Sequence, residues 1–388
     1  MNILVCTSLD LNTPCAALNR IKSLCNALEP HGIKLFTCGS VKAKLKKYLF
    51  KGNKVYYSEP EKFLFLPKAF LYNINAAFFY KRHLKEIINL LNIDGVIIYS
   101  MFSTMIEPIS NVCKEEGIFV VNDGGEKYSI TLHNLLNGVN YMQYRSIFFS
   151  FRKLDGMLVC SPRWKVYADS INKKNLFFPS FMPPLKEISK NNIQKKTKFR
   201  IVFMGSLCPR EMPKTLINGF LECQKLGYKF ELVIIGRQGF NFLQKITWRK
   251  LNKKVAKNNN IIFTNFVSSE ERDSWLNSAD CLVLLRPPCE ETYHLFPTRL
   301  PEYFHTGKPV IITKVEPFSS FYEHKKEVYF ISIKNSPKDL ANAFIELFNN
   351  QSLRKFIGNK GLQYSKNNYS YLYLGKKISN FLKKINKK

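Results

Sequence analysis

The chain has 388 residues, 45% hydrophobic and 14% aromatic, which is too long for one typical core, ample for two, and too apolar for a disordered protein. Lys and Arg number 59 against 29 Asp and Glu, a net charge of +30, which calls for an anionic partner or reflects a lysine-rich coding bias spread along the chain. Ten scattered cysteines form no CxxC pair and no zinc spacing, so they read as buried free thiols of a reducing compartment.

The opening "MNILVCTSLD" has no basic region ahead of its apolar run and reads as a first strand, not a signal peptide. Further apolar runs follow at 34–39, 54–58, 95–100, 118–122 and 156–161. Most are solidly apolar, as strands buried on both faces of a parallel sheet are. Thr13 and Pro14 make an N-cap and first position for a helix over 14–28, with Leu18, Ile21, Leu24, Cys25 and Leu28 on one face. The run 63–80, "FLFLPKAFLYNINAAFFY", is interrupted by Pro67, Lys68 and two asparagines, so no segment is apolar enough to span a membrane. With "KRHLK" after it, 63–85 is either a contact for an anionic lipid surface or a core helix pair.

Residues 183–200 are proline-led, polar and basic, as a linker is. Strand and helix signals then restart, with strands at 200–205, 230–236, 260–267, 281–287, 309–313 and 328–333. Ser268 with Glu271 matches a capping box, and Ser336-Pro337 with Asp339 opens another helix. In the tail, Leu374, Ile378, Phe381 and Leu382 share a face. The pattern predicts an α/β protein of two Rossmann-like, doubly wound domains facing across a cleft: 1–183, a linker at 184–199, and 200–369. A basic amphipathic helix over 370–388 packs back on the first domain.

Ligands of such sheets bind beyond the carboxyl ends of the strands. After 200–205 comes "GSLCPREMPKTLI", where Ser206, Arg210 and Lys214 surround a helix N-terminus, a seat for phosphate or an ordinary loop. Arg237 follows the next strand, and Arg286 ends the strand 281–287. Thr298 caps a helix carrying Arg299 and Glu302, and Gly307 ends it. Glu302 either complements the helix dipole or grips vicinal hydroxyls of a ribose, with Arg299 facing a diphosphate. In the first half, "VVNDGGEKYS" puts Asp123 and Glu126 at a strand end, as acids that orient or deprotonate an acceptor hydroxyl, or as solvated turn residues. Asn12 and Thr13 lie in the first strand–helix loop.

The segment "FPTRLPEYFHTGKPVII" resembles the nucleotide-sugar-binding segment of the family 4 glycosyltransferases, two-domain enzymes of the GT-B type. "VFMGSLCPREMPKTLINGF", "FELVIIGRQG" and "FTNFVSSEERDSWLNSADCLVLL" extend the likeness over most of the second half. The resemblance implies sugar transfer from a nucleotide-diphosphate donor to a glycan or lipid-linked acceptor, with retention of configuration. It implies no metal or other cofactor, and a cytoplasmic enzyme of surface-glycan assembly on the inner membrane face. The donor set it implies is Ser206, Arg210, Lys214, Arg237, Arg286, Thr298, Arg299, Leu300 and Glu302, with Glu126, Asp123 and Arg210 as catalytic candidates. The chain departs from the family at two places: His294 stands where a first glutamate is usual, and Ser206 where an arginine is. A non-catalytic homologue and, on charge alone, a nucleic-acid-binding protein are the alternatives, the latter without any RNA-binding or zinc-finger signature.

Overall fold

The apolar runs form the strands of two parallel sheets in the computed structural model, which describes residues 1–13, 15–45, 47–59, 68–100, 102–124, 127, 130, 135, 138–182, 196–205, 207–236, 255, 258–265 and 267–387. The chain divides into two units. The first comprises Met1–Phe181, Cys289–Thr298 and Ser370–Lys388, and the second Met182–Pro288 and Arg299–Tyr369. The expected linker at 184–199 lies almost wholly outside the described residues.

The first unit holds an eight-stranded sheet of β1 (Asn2–Asp10), β2 (Lys34–Val41), β3 (Leu49–Lys51), β4 (Lys54–Ser58), β5 (Gly95–Tyr99), β6 (Phe119–Asp123), β7 (Gly156–Val159) and β8 (Lys174–Phe177). Its order is β3-β4-β2-β1-β5-β6-β7-β8, parallel except for the β3–β4 hairpin. The register Ile3↔Gly95 through Thr7↔Tyr99 places the solidly apolar β1 at its centre. Helix Ala16–Leu28 covers one face and buries Leu18, Ile21, Leu24 and Leu28. Its N-cap is Cys15 and not the expected Thr13, since the helix begins only at Ala16, and the Thr13 hydroxyl donates to Asp10.

The terminal helix Tyr371–Asn386 packs on that helix, burying Leu374, Ile378, Leu382 and Ile385. Gly375 makes the close approach possible, since a Cβ there would lie 2.2 Å from the Ala27 carbonyl oxygen. The stretch expected either on a lipid surface or in the core forms helix Lys68–Leu91. It buries Ala76, Tyr80, Leu84 and Ile87, and the Tyr80 hydroxyl donates to the Cys38 carbonyl at 2.8 Å.

The second unit holds six parallel strands, β9 (Arg200–Met204), β10 (Glu231–Ile235), β11 (Ile261–Asn265), β12 (Cys281–Leu284), β13 (Val310–Thr313) and β14 (Tyr329–Ile331). Their order is β11-β10-β9-β12-β13-β14. The chain winds outward from β9 in one direction and then, from β12, in the other. The topology therefore reverses between β9 and β12, and it is at such a reversal, beyond the carboxyl ends of the strands, that open α/β sheets bind their ligands. Helices Pro213–Lys225 and Ser336–Asn349 pack together on one face. No described helix is long and apolar enough to cross a membrane.

Candidate active site

At the β9–β12 reversal the structure assembles charged side chains far apart in sequence. Arg286 lies just past β12. Its amide donates to Thr313 Oγ1 at 2.9 Å and its carbonyl accepts from the same hydroxyl at 2.8 Å, so buried Thr313, at the end of β13, fixes the arginine's backbone. Arg299 opens helix Arg299–His305. One of its Nη groups donates to the Met204 carbonyl at the end of β9, and the other to Glu211. Arg286 also pairs with Glu211, and both guanidinium groups meet the same oxygen, Oε2.

Glu211 is only 3% exposed and ends the short 3-10 turn Pro209–Glu211. Two cations thus share one carboxylate, leaving an excess positive charge in a poorly hydrated place. The Nε atoms of Arg286 and Arg299 are buried and have no partner among the described residues. Burial and the charge of Arg299 hold the Arg286 guanidinium below the ordinary arginine range. Uncompensated buried charge costs several kcal/mol, so the arrangement favours an incoming anion.

Two glycines allow this geometry. Gly205, at φ 152°, lies so close to Arg299 that an added Cβ would sit 1.9 Å from Nη1. Gly236, at φ 139°, turns directly beside it, and a Cβ there would lie 2.3 Å from the Gly205 carbonyl oxygen. Tyr303, one turn along the arginine's helix, accepts a hydrogen bond from the Met204 amide at 2.8 Å, and burial pushes its phenol up to about 12.

Arg210, of the expected set, is half-buried in the same 3-10 turn, and its carbonyl accepts from Arg286 Nη1 at 3.4 Å. Its charge acts on both other arginines. Lys214 is exposed in the first turn of Pro213–Lys225. Thr298 is half-buried and precedes the arginine helix, with no side-chain cap bond among the described residues. Leu300 is fully buried, so its side chain belongs to the core and only its first-turn amide is left to meet a ligand.

Glu302 is half-buried and its carboxylate makes no hydrogen bond among the described residues. Burial raises its pKa, as does Asp273, while Arg272 and Arg299 draw it back. The helix ends at Gly307, φ 65°, whose amide donates to the Phe304 carbonyl at 3.1 Å. Ser206, Arg237 and Glu126 lie outside the described residues.

Asp123 ends β6. Expected at a strand end facing an acceptor, it is 3% exposed and held by a bidentate pair with Arg20, Nε to Oδ2 at 3.0 Å and Nη2 to Oδ1 at 2.9 Å. Arg20 also donates to the carbonyls of Pro179 and Phe178, at 2.7 and 3.0 Å, and its guanidinium lies 3.8 Å from the centre of the Phe178 ring. Both carboxylate oxygens of Asp123 are thus engaged by Arg20.

His294 lies in the stretch Cys289–Thr298 that belongs to the first unit. Its ring packs edge-on against Trp164 at 5.3 Å, with Nδ1 2.9 Å from the Glu290 carbonyl. Burial lowers its pKa and favours the neutral ring. Glu290 in turn pairs with Lys127 and Arg163, at 2.9 and 3.0 Å.

Sequence reasoning missed Glu211, Tyr303 and Thr313. The acid inside "PREMP" reads as a solvated turn residue, and only the fold brings it to Arg299, 88 positions away.

With this geometry in view, residues 185–364 match the family model described as Glycosyl transferases group 1. The match covers less than half of the chain and falls mostly in the second unit. An uncharacterized glycosyltransferase of Methanocaldococcus jannaschii is 27% identical over 169 residues, which cover 42% of each chain. The chain thus spans less than half the length of the curated relative it matches. Anabaena HepE, solved in complex with UDP-glucose, superposes with TM-score 0.69 at 11% identity, over 99% of this chain and 100% of that one. Sucrose-phosphate synthase of Thermosynechococcus elongatus gives TM-score 0.73 at 12% identity, over 99% and 98%. These likenesses show the fold, which is GT-B. The Arg286–Glu211–Arg299 cluster lies within the matched residues, at the carboxyl ends of β9 and β12.

Proposed function

We propose that the chain is a glycosyltransferase that moves a sugar from a nucleoside-diphosphate donor to a glycan or lipid-linked acceptor, with retention of configuration and without a metal ion. The observation that carries this reading is the excess positive charge at the β9–β12 reversal, where two arginines share one carboxylate. Cleaving a sugar–phosphate bond concentrates negative charge on the departing diphosphate, and fixed cations in a dry site stabilise it as it forms. Arg286 and Arg299, with Arg210 beside them, supply those cations. Glu302, in the first turn of the same helix as Arg299 and without a hydrogen-bond partner among the described residues, accepts hydrogen bonds from the ribose hydroxyls. HepE was solved with UDP-glucose, so uridine diphosphate is the first nucleotide to try.

Calorimetric titration with uridine, guanosine and other nucleoside diphosphates tests this directly: one binds at micromolar level, and its sugar ester releases nucleotide when acceptor is present, with or without EDTA. Binding of none of them removes the reading, and binding without release identifies a non-catalytic homologue. Glu302→Gln weakens nucleotide binding by roughly 10-fold, since a charged acceptor is replaced by a neutral one. Donor binding by the wild type falls with pH through the raised pKa of Glu302, at higher pH than an ordinary glutamate would give. The stability term has the opposite sense. A carboxyl whose folded pKa is raised favours the fold below its unfolded pKa and loses that contribution as pH rises through the folded pKa. Unliganded Glu302→Gln therefore melts above wild type at neutral pH and level with it in acid. If nucleotide affinity does not change, Glu302 serves only the helix dipole.

Contact with an anionic inner-membrane surface, in surface-glycan assembly, belongs to the same proposal. Helix Lys68–Leu91 buries one side in the core and leaves Phe78, Lys81, Arg82 and Lys85 exposed, and a second candidate contact is helix Val139–Phe148 with the turn after it. There Tyr141, Phe148 and Phe149 are exposed beside exposed Arg152 and Lys153. Exposed aromatic rings flanked by cations suit the headgroup region of an anionic bilayer. Replacing both phenylalanines by serine is expected to abolish sedimentation with phosphatidylglycerol-containing vesicles. Sedimentation equal to wild type would place the contact elsewhere or remove it.

A further inference from the structure

We infer that Glu211 is the built-in counter-ion of the diphosphate seat: it holds the Arg286 and Arg299 guanidinium groups in place and subtracts one charge from the site, which keeps nucleoside-diphosphate affinity moderate. The inference rests on the donor reading above and concerns a residue to which that reading gives no role.

Glu211 is buried, and its Oε2 receives both guanidinium groups. A carboxylate meant only to fold its own turn needs one such partner. A site built for the tightest anion binding would leave the two cations without an internal anion. The surrounding bonds show why the carboxylate is needed when no ligand is bound. Arg299 is drawn under the Gly205 turn toward the Met204 carbonyl, and Arg286 toward the carbonyls of Leu285 and Arg210, at 3.2 and 3.4 Å. Without Glu211 the two like charges repel across a poorly hydrated space. With it, the Arg286–Glu211–Arg299 cluster keeps one excess charge, to which neighbouring Arg210 adds its own, enough to attract a diphosphate and small enough to let the product go. Glu211 thus acts through the arginines, as a positioning residue, and not on the reacting atoms.

The test compares wild type with Glu211→Gln and Glu211→Asp, using uridine diphosphate and inorganic pyrophosphate as probes at several salt concentrations. Glutamine keeps shape and hydrogen bonding but removes the charge. Its expected effect is tighter pyrophosphate and uridine diphosphate binding by roughly 10-fold or more, with a steeper dependence on salt. Aspartate keeps the charge but is one methylene shorter, so it is expected to bind both probes no more tightly than wild type. If Glu211→Gln binds pyrophosphate no more tightly than wild type, the inference is overturned, while nucleotide binding by wild type leaves the functional reading standing. If wild type binds no nucleoside diphosphate at all, both fall. Should Glu211→Gln not fold alone, recovery of its thermal transition by millimolar pyrophosphate, an external anion in place of the lost one, supports the inference. Absence of recovery overturns it.

Discussion

Arg299→Ala is expected to lower kcat/KM for sugar transfer by roughly 10²- to 10³-fold, the usual cost of removing one donor that meets developing charge. The argument is electrostatic and geometric together. Arg299 supplies the charge by which the Arg286–Glu211–Arg299 cluster exceeds neutrality; without it, Arg286 and Glu211 form a balanced pair and only Arg210 beside them is left to attract a diphosphate. Its fork also underpins the Gly205 turn through the Met204 carbonyl, so the floor of the seat loosens. The fold itself should survive, since Tyr303 still holds the Met204 amide and Glu211 keeps one partner. Arg299→Lys restores the charge without the two-pronged geometry and is expected to recover only part of the rate. Initial rates of nucleotide release, normalised to folded protein by thermal unfolding, check this. Rates for Arg299→Ala within about twofold of wild type would remove the diphosphate assignment.

The second large effect is on stability and concerns Asp123. Asp123→Ala leaves the buried Arg20 with two carbonyl oxygens and no counter-charge. Removing one member of a buried ion pair costs about 3–5 kcal/mol, which in a protein of this size lowers Tm by on the order of 10 °C. Asp123→Asn keeps one acceptor and is expected to lose less. Activity per folded molecule should be unchanged in both. Wild-type stability with abolished transfer would be the opposite result, and would return Asp123 to the role of acceptor base.

Twelve strands were legible in the sequence because parallel strands buried on both faces read as unbroken apolar runs such as "RIVFM" and "ELVII". The short hairpin strand β3 and the half-buried edge strand β8 carry no such run. The Ser268 cap and the glycine stop at 307 were legible because each is a local rule, closed within four residues. Thr13 obeyed the same rule on paper and failed it in the fold, where the helix begins at Ala16, three residues on. Lys68–Leu91 carried two readings, and while burial of Tyr80 and Leu84 shows its core side, Phe78 stays exposed.

By itself, then, the sequence determined the alternation of buried strands and amphipathic helices, the place of the donor-like segment and the arginines within it. Those are properties of short windows, where hydrophobic period and backbone preference act over a few residues. Which acids face which arginines was decided only by tertiary structure. Asp123 and Glu211 are both acids in turn-like stretches, and nothing local separates them. One is carried to Arg20 and becomes a structural counter-ion; the other is carried to Arg286 and Arg299 at the strand reversal. Coulomb interactions depend on distance in space and on local hydration, and only the fold sets either.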